Sequence, residues 1–186
     1  MSSPSYLMAS LPMIEMGDVP PLSMEEFRHR CIGVLSDSEI SALDALLDDG
    51  ECEECDDEFV RAYKAHEIQM KNVSGRLRAQ AWGPDVRFTD KSFPGYDVTF
   101  AKMIQDAFAK SNPMEKEQDI DKARFWLVDS LAGVGEGTVK HVYAYAIKLK
   151  ICERWARLTE AAMADALSAL LRPQLSRVVN AAAQAK

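Results

Sequence analysis

The phrase "TVKHVYAYAIKLKICERWARL", residues 138–158, decides the fold of this chain. Its apolar residues recur at steps of three and four positions, which is the spacing of one face of an α-helix rather than the alternation of a strand. The stripe comprises Val139, Val142, Ala146, Leu149, Cys152 and Trp155. The phrase therefore predicts a long helix that packs one apolar face against the rest of the protein.

Basic residues flank this stripe, and two interpretations of them stay open. They are Lys140, Lys148, Lys150, Arg154 and Arg157. Steps of about 100° per residue spread them around the polar side of the helix, which is typical of a solvated face. The second interpretation is a docking face for an acidic surface of a partner protein.

The rest of the chain has the same helical spacing, interrupted by clusters of glycine and proline. Ser23 with Glu26 and Ser36 with Glu39 have the capping-box spacing that starts a helix. The glycine-rich "GVGEGT" lacks the Lys-Ser or Lys-Thr of a phosphate-binding loop, so it predicts a helix stop and restart. We expect helices at about 24–34, 37–47, 57–82, 98–111, 113–132, 138–158 and 160–171.

This pattern predicts an all-α fold, an antiparallel bundle of about six to eight helices. Residues 1–172 are expected to form a single helical domain with lobes at 1–82 and 97–172. The turn-rich segment 83–96, with its phrases "WGPD" and "DKSFPGYD", would join them. Residues 173–186, an Ala-rich stretch that starts at a proline, are expected to fray.

Composition restricts the classes of function. The 186 residues are 47% hydrophobic and 27% charged, with a net charge of -7 and an isoelectric point near 5.0. An acidic chain of this kind is not typical of nucleic-acid binding, which needs a dominant basic surface. No apolar run approaches the roughly 20 residues that span a bilayer, so we expect no membrane insertion.

The charge is also distributed unevenly. Residues 1–60 carry 15 acids and 2 bases, a sum of -13, whereas residues 61–186 carry 14 acids and 20 bases, a sum of +6. The two parts are expected either to attract one another or to face different partners.

The apolar phrase "SYLMASLPMI", residues 5–14, is not expected to be an export signal. Such a signal needs a basic start, but no Lys or Arg precedes Arg28, and Ser10 and Pro12 interrupt the apolar run. We expect the phrase to pack into the folded body through Tyr6, Leu7, Leu11 and Ile14, with Pro12 turning the chain.

Cys52 and Cys55 form a C-x-x-C pair inside the acidic stretch 48–58, where eight of eleven residues are acids. Three interpretations stay open: two cysteines in a solvated loop, a zinc site, or redox catalysis. Zinc would need a second pair of ligands, for which Cys31, His29 and His66 are the candidates. The surrounding acids would raise the thiol pKa values and reduce their reactivity. We expect no cofactor and treat the two cysteines only as candidate metal ligands.

No arrangement of residues indicates catalysis. The three histidines are scattered, and no serine has the G-x-S-x-G frame of a nucleophile. Glu115 and Asp119 share a helix face near its start, where carboxylates favour the helix dipole, so a structural role is expected. The chain is therefore expected not to be an enzyme and to have no small-molecule substrate. An unrecognised enzyme stays open as an alternative, besides the two hypotheses described below.

Four phrases carry a resemblance to a known family. In order they are "YLMASLP", "LSMEEFRHRC…LSDSEISALDAL", "NPMEKEQDIDKARFWLVDSL" and "VYAYAIKLKICERWARL". Together they resemble an uncharacterised bacterial family encoded alongside V-type (A/V-type) ATP synthase subunits. That family is itself similar to the C subunit of these rotary machines, called d in eukaryotes. The resemblance spans roughly residues 5–170.

The resemblance implies a non-catalytic adaptor. The C subunit is a funnel-shaped, all-helical socket on the cytoplasmic face of the membrane rotor ring, where it receives the central stalk of subunits D and F. By this resemblance the partners are the central-stalk subunits and the rotor ring, and the location is cytoplasmic, peripheral to the inner membrane. Tyr145, Lys148, Arg154 and Trp155 are singled out as fold-defining or interface residues. The C subunit has three similar lobes, whereas this chain supplies little more than one.

A second hypothesis comes from a different class of protein. It is a cytosolic helical chaperone or maturation factor that binds zinc through Cys52 and Cys55. Stoichiometric zinc in anaerobically purified protein, lost in the variant Cys52→Ser, would favour it over the adaptor.

Overall fold

A computed structural model describes residues 3–48, 56–135 and 137–158. These residues form seven α-helices and no β-strand, which confirms the all-α prediction. In chain order the helices are α1 Pro4–Ser10, α2 Met24–Cys31, α3 Asp37–Leu47, α4 Glu58–Trp82, α5 Val98–Phe108, α6 Pro113–Ala132 and α7 Val139–Arg157. The predicted helix at 160–171, the tail 173–186 and most of the acidic stretch, with Cys52 and Cys55, lie outside the described residues.

Helix α7 is the centre of the bundle. It packs against α1, α2, α3 and α6, so its neighbours come from both predicted lobes. The apolar stripe predicted for α7 is confirmed at Val142, Ala146, Leu149 and Cys152, which are all buried. The buried face of the helix is wider than that stripe. Five further residues of α7 are buried outside it: Tyr143, Ala144, Tyr145, Ile147 and Ile151. A helix that is apolar on most of its circumference is enclosed by its neighbours rather than laid on a surface.

Local signals set most helix ends. The capping box at Ser36 is complete, since Ser36 and Glu39 each bond the other's backbone N–H. At Ser23 only half of it forms, because the Glu26 carboxylate instead accepts from Arg30 at 2.6 Å. Pro113 stands in the first turn of α6 as predicted. Helix α2 ends at Cys31, three residues earlier than expected, where the chain turns at Gly33 with φ +78°.

Helix α4 runs unbroken through Gly75, which the sequence marks as a weak point. A Cβ atom at Gly75 would collide with the ring of Phe88, so the glycine lets the segment after α4 pack directly on the helix. Two buried side-chain amides of α4 bind the same segment. Gln69 bonds both backbone groups of Asp97 at 2.6 and 3.0 Å, and Asn72 bonds both of Lys91 at 2.8 and 3.0 Å. The turn-rich segment between the predicted lobes is thereby fixed along α4.

The sequence predicts no helix at α1, Pro4–Ser10, but only that residues 5–14 pack into the folded body. Ser3 caps it and Pro4 opens it. Leu7 and Ile14 are buried and Leu11 is partly buried, as predicted, but Tyr6 is 69% exposed, so that part of the prediction is wrong. The helix is only seven residues long and turns one face inward, which leaves Tyr6 outside. None of the described helices combines the length and apolar character needed to cross a bilayer.

Candidate functional site

A groove of about 540 Å³ runs between the first residues of the chain and α7. We call it the N-terminal groove. Helix α1 and the segment after it form one wall, and α7 with Asp129 of α6 forms the other. The lining residues are Ser5, Met8, Ala9, Leu11, Pro12, Met13, Ile14, Asp129, Gly137, His141, Ala144, Tyr145 and Lys148. Most of these are apolar, which is typical of a binding groove with a few polar groups.

The groove exists because α1 is attached to the turn between α6 and α7. The Ser5 hydroxyl donates to the Gly137 carbonyl at 2.9 Å. Gly137 has φ +82°, and a Cβ atom there would collide with Ser5, so this close approach requires glycine. Further along, the Cys152 thiol donates to the Glu15 carbonyl at 3.6 Å. The glycine-rich turn, expected only to stop one helix and start the next, therefore also holds α1 in place.

Tyr145 is the unusual polar residue of the groove. Its ring stacks on Phe27 with 5.3 Å between ring centroids, and only 7% of the residue is exposed. Its hydroxyl is buried and has no hydrogen-bond partner. Burial raises the pKa of Tyr145 to about 12, so the hydroxyl stays protonated and remains both a donor and an acceptor.

The other polar residues of the groove are paired. Lys148 donates to Asp129 at 2.6 Å, and its ammonium lies 5.5 Å from the centroid of the Phe125 ring. His141 Nδ1 is 2.8 Å from the hydroxyl of Thr138. Two of the residues singled out from the sequence, Tyr145 and Lys148, therefore border the N-terminal groove.

The other two, Arg154 and Trp155, lie at a separate group of residues that we call the Asp121 cluster: Asp121, Arg124, Arg154, Trp155 and Glu67. Asp121 is fully buried and accepts hydrogen bonds from Arg124 at 2.7 Å, from Trp155 Nε1 at 2.6 Å and from Arg154. Arg124 also donates to Glu67 at 2.9 and 3.3 Å. The cluster thus links α4, α6 and α7 through buried charges.

The charges of the Asp121 cluster support one another. Burial lowers the pKa of Arg124, but the attraction and hydrogen bond of Glu67, together with the attraction of Tyr63 and Asp121, outweigh it and raise the pKa above its usual value. Burial, with the Glu67 carboxylate close by, raises the pKa of Tyr63. Arg124 is therefore held charged and the adjacent Tyr63 neutral, which is the state that satisfies Asp121 and Glu67.

The basic residues of α7 contact this chain's own groups. Besides Lys148 and Arg154, Lys140 pairs with Glu58 at 2.9 Å and Lys150 donates to the Leu47 carbonyl at 2.7 Å. Arg157 donates to the backbone of Glu153. Neither interpretation of these basic residues, as a solvated face or as a docking face for a partner, predicts contacts within the chain. The contacts attach α3, α4 and α6 to α7. The pair of Lys140 with Glu58 also joins the acidic part of the sequence to the basic part.

The candidate metal ligands are not brought together. Cys31 is fully buried, and burial raises its pKa to about 11. His29 is exposed on α2, while His66 lies edge-on to the Phe100 ring at 5.9 Å. In residues 3–48, 56–135 and 137–158, no three His, Cys, Asp or Glu side chains are grouped as metal ligands. Cys52 and Cys55 lie outside these ranges, so their role stays a hypothesis.

The paired carboxylates of α6 contact nearby polar groups. Asp119 bonds Lys122 at 2.8 Å and lies 3.7 Å from Lys110, and the Lys122 bond lowers its pKa. Glu115 accepts from the Asn112 amide at 3.4 Å at the start of the helix. These contacts link the end of α5 to α6.

Sequence reasoning missed Asp121, Met13 and Gly137. In the sequence Asp121 stands between other charged residues of α6, so its neighbours along the chain do not indicate that it is buried. Its spacing of three residues from Arg124 is the local signal that was available. Gly137 meets Ser5 across 132 positions, and Met13 lines a groove whose other wall is α7, so no local pattern marks either residue.

No protein-family model matches this chain, and no curated protein and no solved structure is similar enough to count as a match.

Proposed function

We propose that this chain is a non-catalytic adaptor of a V/A-type rotary ATPase, which joins the central-stalk subunits to the membrane rotor ring. The observation that carries the proposal is the ordered set of phrases that resemble the C-subunit-like family. The most specific of them, "VYAYAIKLKICERWARL", forms α7. Because α7 packs against α1, α2, α3 and α6 and also pairs with Glu58 of α4, the residues that carry the resemblance are also those that organise the bundle.

The construction of the bundle supports an adaptor. A subunit that passes torque between two partners must resist sliding of its own helices. The Asp121 cluster holds α4, α6 and α7 together with buried, charge-assisted hydrogen bonds, and Lys150 and Tyr143 of α7 bond main-chain carbonyls of α3. The N-terminal groove supplies an apolar surface of the kind that binds other proteins. The proposed location is the cytoplasmic face of the inner membrane, where the chain would be held by protein contacts.

The test is isolation of the native complex. The chain would be tagged at its C-terminus in its own cell, and the membranes would be solubilised in a mild detergent. We expect the stalk subunits and the rotor ring to be recovered with it in fixed proportion, and electron microscopy of that sample would place the chain beside or instead of a C subunit. Recovery of stalk and ring with one another but without this chain would overturn the proposal.

A further inference from the structure

A second groove, of about 640 Å³, lies where the last described residues leave α7, and we call it the C-terminal groove. Its lining residues are Met16, Gly17, Asp18, Val19, Met114, Gln118, Lys122, Trp155, Ala156 and Leu158. Met114, Gln118 and Lys122 stand four residues apart on α6, so they form one ridge of that helix, about 12 Å long. Residues 16–19 and the end of α7 supply the rest of the lining. The groove therefore runs alongside a helical ridge.

The C-terminal groove leaves apolar side chains in contact with water. Val19 is 83% exposed, Leu158 44% and Met114 39%, while Met16 and Trp155 are partly buried. These five residues come from three separate parts of the chain, namely the segment after α1, the start of α6 and the end of α7. An apolar patch assembled in this way is typical of a contact site. We therefore expect another element to cover the groove.

The chain itself continues from this groove. Helix α7 ends at Arg157, and its C-cap residue Leu158 lines the groove. The next residue, Thr159, is of a type preferred at the N-cap of a helix, and a carboxylate such as Glu160 favours the helix dipole in the first turn. The helix expected from the sequence at about 160–171 therefore begins at the edge of the groove.

The apolar residues of that helix share one face. They are Met163, Ala166, Leu167, Leu170 and Leu171. At steps of about 100° per residue, Asp165, Ser168 and Arg172 fall on the opposite face. An isolated helix of about 12 residues is marginal in water, so it needs packing of its apolar face to become stable. Its first residues bring that face within reach of the C-terminal groove.

We propose that residues 159–172 form a helix that folds back beside α7 and fills the C-terminal groove. The leucines at 167 and 170 and the methionine at 163 pack against the ridge of α6 and against Val19. This inference goes beyond the proposed function and does not depend on it. It makes the chain's own continuation, rather than a partner protein, the occupant of this surface.

The dimensions of the segment fit the groove. The end of α7 and the start of α6 meet there, so a helix that leaves Leu158 and follows the ridge from Met114 to Lys122 runs antiparallel to α7. Two to five residues are enough to connect antiparallel helices. Twelve helical residues span about 18 Å, which is sufficient to cover the ridge. Covalent connection also keeps the segment near the groove at an effective concentration on the order of mM.

The first experiment measures whether Val19 is covered in the full chain. In a chain that carries Cys52→Ser and Cys55→Ser, Val19→Cys and the control Val134→Cys each place one thiol at a highly exposed valine. Val134 lies in the turn after α6, outside the C-terminal groove. Mass spectrometry follows alkylation by iodoacetamide. We expect Val19→Cys to react at least about tenfold more slowly than Val134→Cys, and equal rates would overturn the proposal.

Two further substitutions identify what covers Val19. Leu167→Asp places a charge in the apolar face, and Leu175→Asp makes the same change beyond the proposed helix. Leu167→Asp should raise the alkylation rate of Val19→Cys about tenfold and leave that of Val134→Cys unchanged, because it releases the segment from the groove. Leu175→Asp should change neither rate by more than about twofold. Slow alkylation that Leu167→Asp does not relieve would overturn the proposal.

Thermal unfolding tests the same contact from both sides. Leu167→Asp should lower the Tm by roughly 4–8 °C, and Leu175→Asp by less than about 1 °C. Met114→Lys changes the ridge, and its loss of Tm should be partly contained in that of Leu167→Asp, since both substitutions disrupt one contact. Circular dichroism checks that α1–α7 still form. Equal Tm values for the two aspartate variants, or losses that add in full, would contradict the contact.

A second copy of the chain is the competing occupant. Covering by a second copy depends on protein concentration, whereas covering by the chain's own segment does not. We expect the alkylation rate of Val19→Cys to stay constant between about 1 and about 100 µM protein. A rate that falls as the concentration rises would show that the groove is an interface between copies, and the proposal would be wrong.

Discussion

The Asp121 cluster and the N-terminal groove are built on the same helix but differ in how their buried side-chain oxygens are paired. In the cluster Asp121 accepts three hydrogen bonds and is fully buried. In the groove Tyr145 is almost as buried, yet its hydroxyl has no partner, and the adjoining Asp129 is exposed. Buried polar groups are satisfied within the chain where they serve stability. The contrast therefore assigns Asp121, Arg124 and Trp155 to holding the bundle, together with the terminal guanidinium nitrogen of Arg154, whose buried Nε has no partner. The Tyr145 hydroxyl contributes no hydrogen bond to the bundle.

The largest effect is expected from Asp121→Asn. It removes the negative charge that Arg124 and Arg154 share, while keeping the shape of the side chain. Breaking a buried ion pair leaves a desolvated charge, so the free energy of unfolding should fall by about 3–5 kcal/mol, measured by urea denaturation.

Asp129→Asn is the matched control for that variant, because it makes the same change in an ion pair whose acid is 61% exposed. It should cost less than about 1 kcal/mol. Equal losses from the two variants would contradict the view that only the Asp121 cluster is a buried support.

The second-largest loss of stability is expected where α1 is attached to Gly137. Gly137→Ala adds a Cβ atom that collides with Ser5, in a backbone conformation that alanine disfavours. We expect a loss of about 2–3 kcal/mol in the free energy of unfolding, measured by urea denaturation, because the backbone is strained and α1 is displaced from the turn.

Gly133→Ala separates the cost of the backbone conformation from the cost of the collision with Ser5. Gly133 has φ +81°, close to the +82° of Gly137, but a Cβ atom there meets nothing within 4 Å. It should show only the backbone cost, about 1 kcal/mol in the free energy of unfolding by the same measurement. If Gly133→Ala were as destabilising as Gly137→Ala, the contact with Ser5 would not be what holds α1 in place.

Local sequence signals predicted much of the fold but little of the candidate site. The start of α4 at residue 57 or 58, Pro113 in the first turn of α6 and the capping box at Ser36 all depend on residues a few positions apart. Asp121 instead meets Arg154 across 33 positions, and Ser5 meets Gly137 across 132. No local pattern contains such pairs, which is why Arg154 was interpreted as a solvated or docking residue.

Alkaline titration should distinguish a buried Tyr145 hydroxyl from a solvated one. The pKa of Tyr145 is raised to about 12 by burial, so the folded chain keeps this proton more tightly than the unfolded chain. Stability is therefore complete below pH 10 and falls as the pH rises from about 10 to 12. Tyr145→Phe lacks this loss, so its stability relative to wild type should rise by up to about 1.4 kcal/mol at pH 11, measured by urea denaturation across that range. A constant difference between the two proteins from pH 8 to 11 would show that the hydroxyl is solvated.

The smallest effect is expected from salt. In the groove, Lys148 and Asp129 form a pair with 18% and 61% of their side chains exposed, so ions in the solvent reach it. The cost of Asp129→Asn, about 0.5 kcal/mol at low ionic strength, should vanish in 1 M sodium chloride, where the Debye length is about 3 Å. The cost of Asp121→Asn should persist in the same salt, because a fully buried carboxylate is screened much less. An Asp129→Asn loss that survived 1 M salt would mean that the pair of Lys148 with Asp129 is shielded from solvent and supports the bundle as the Asp121 cluster does.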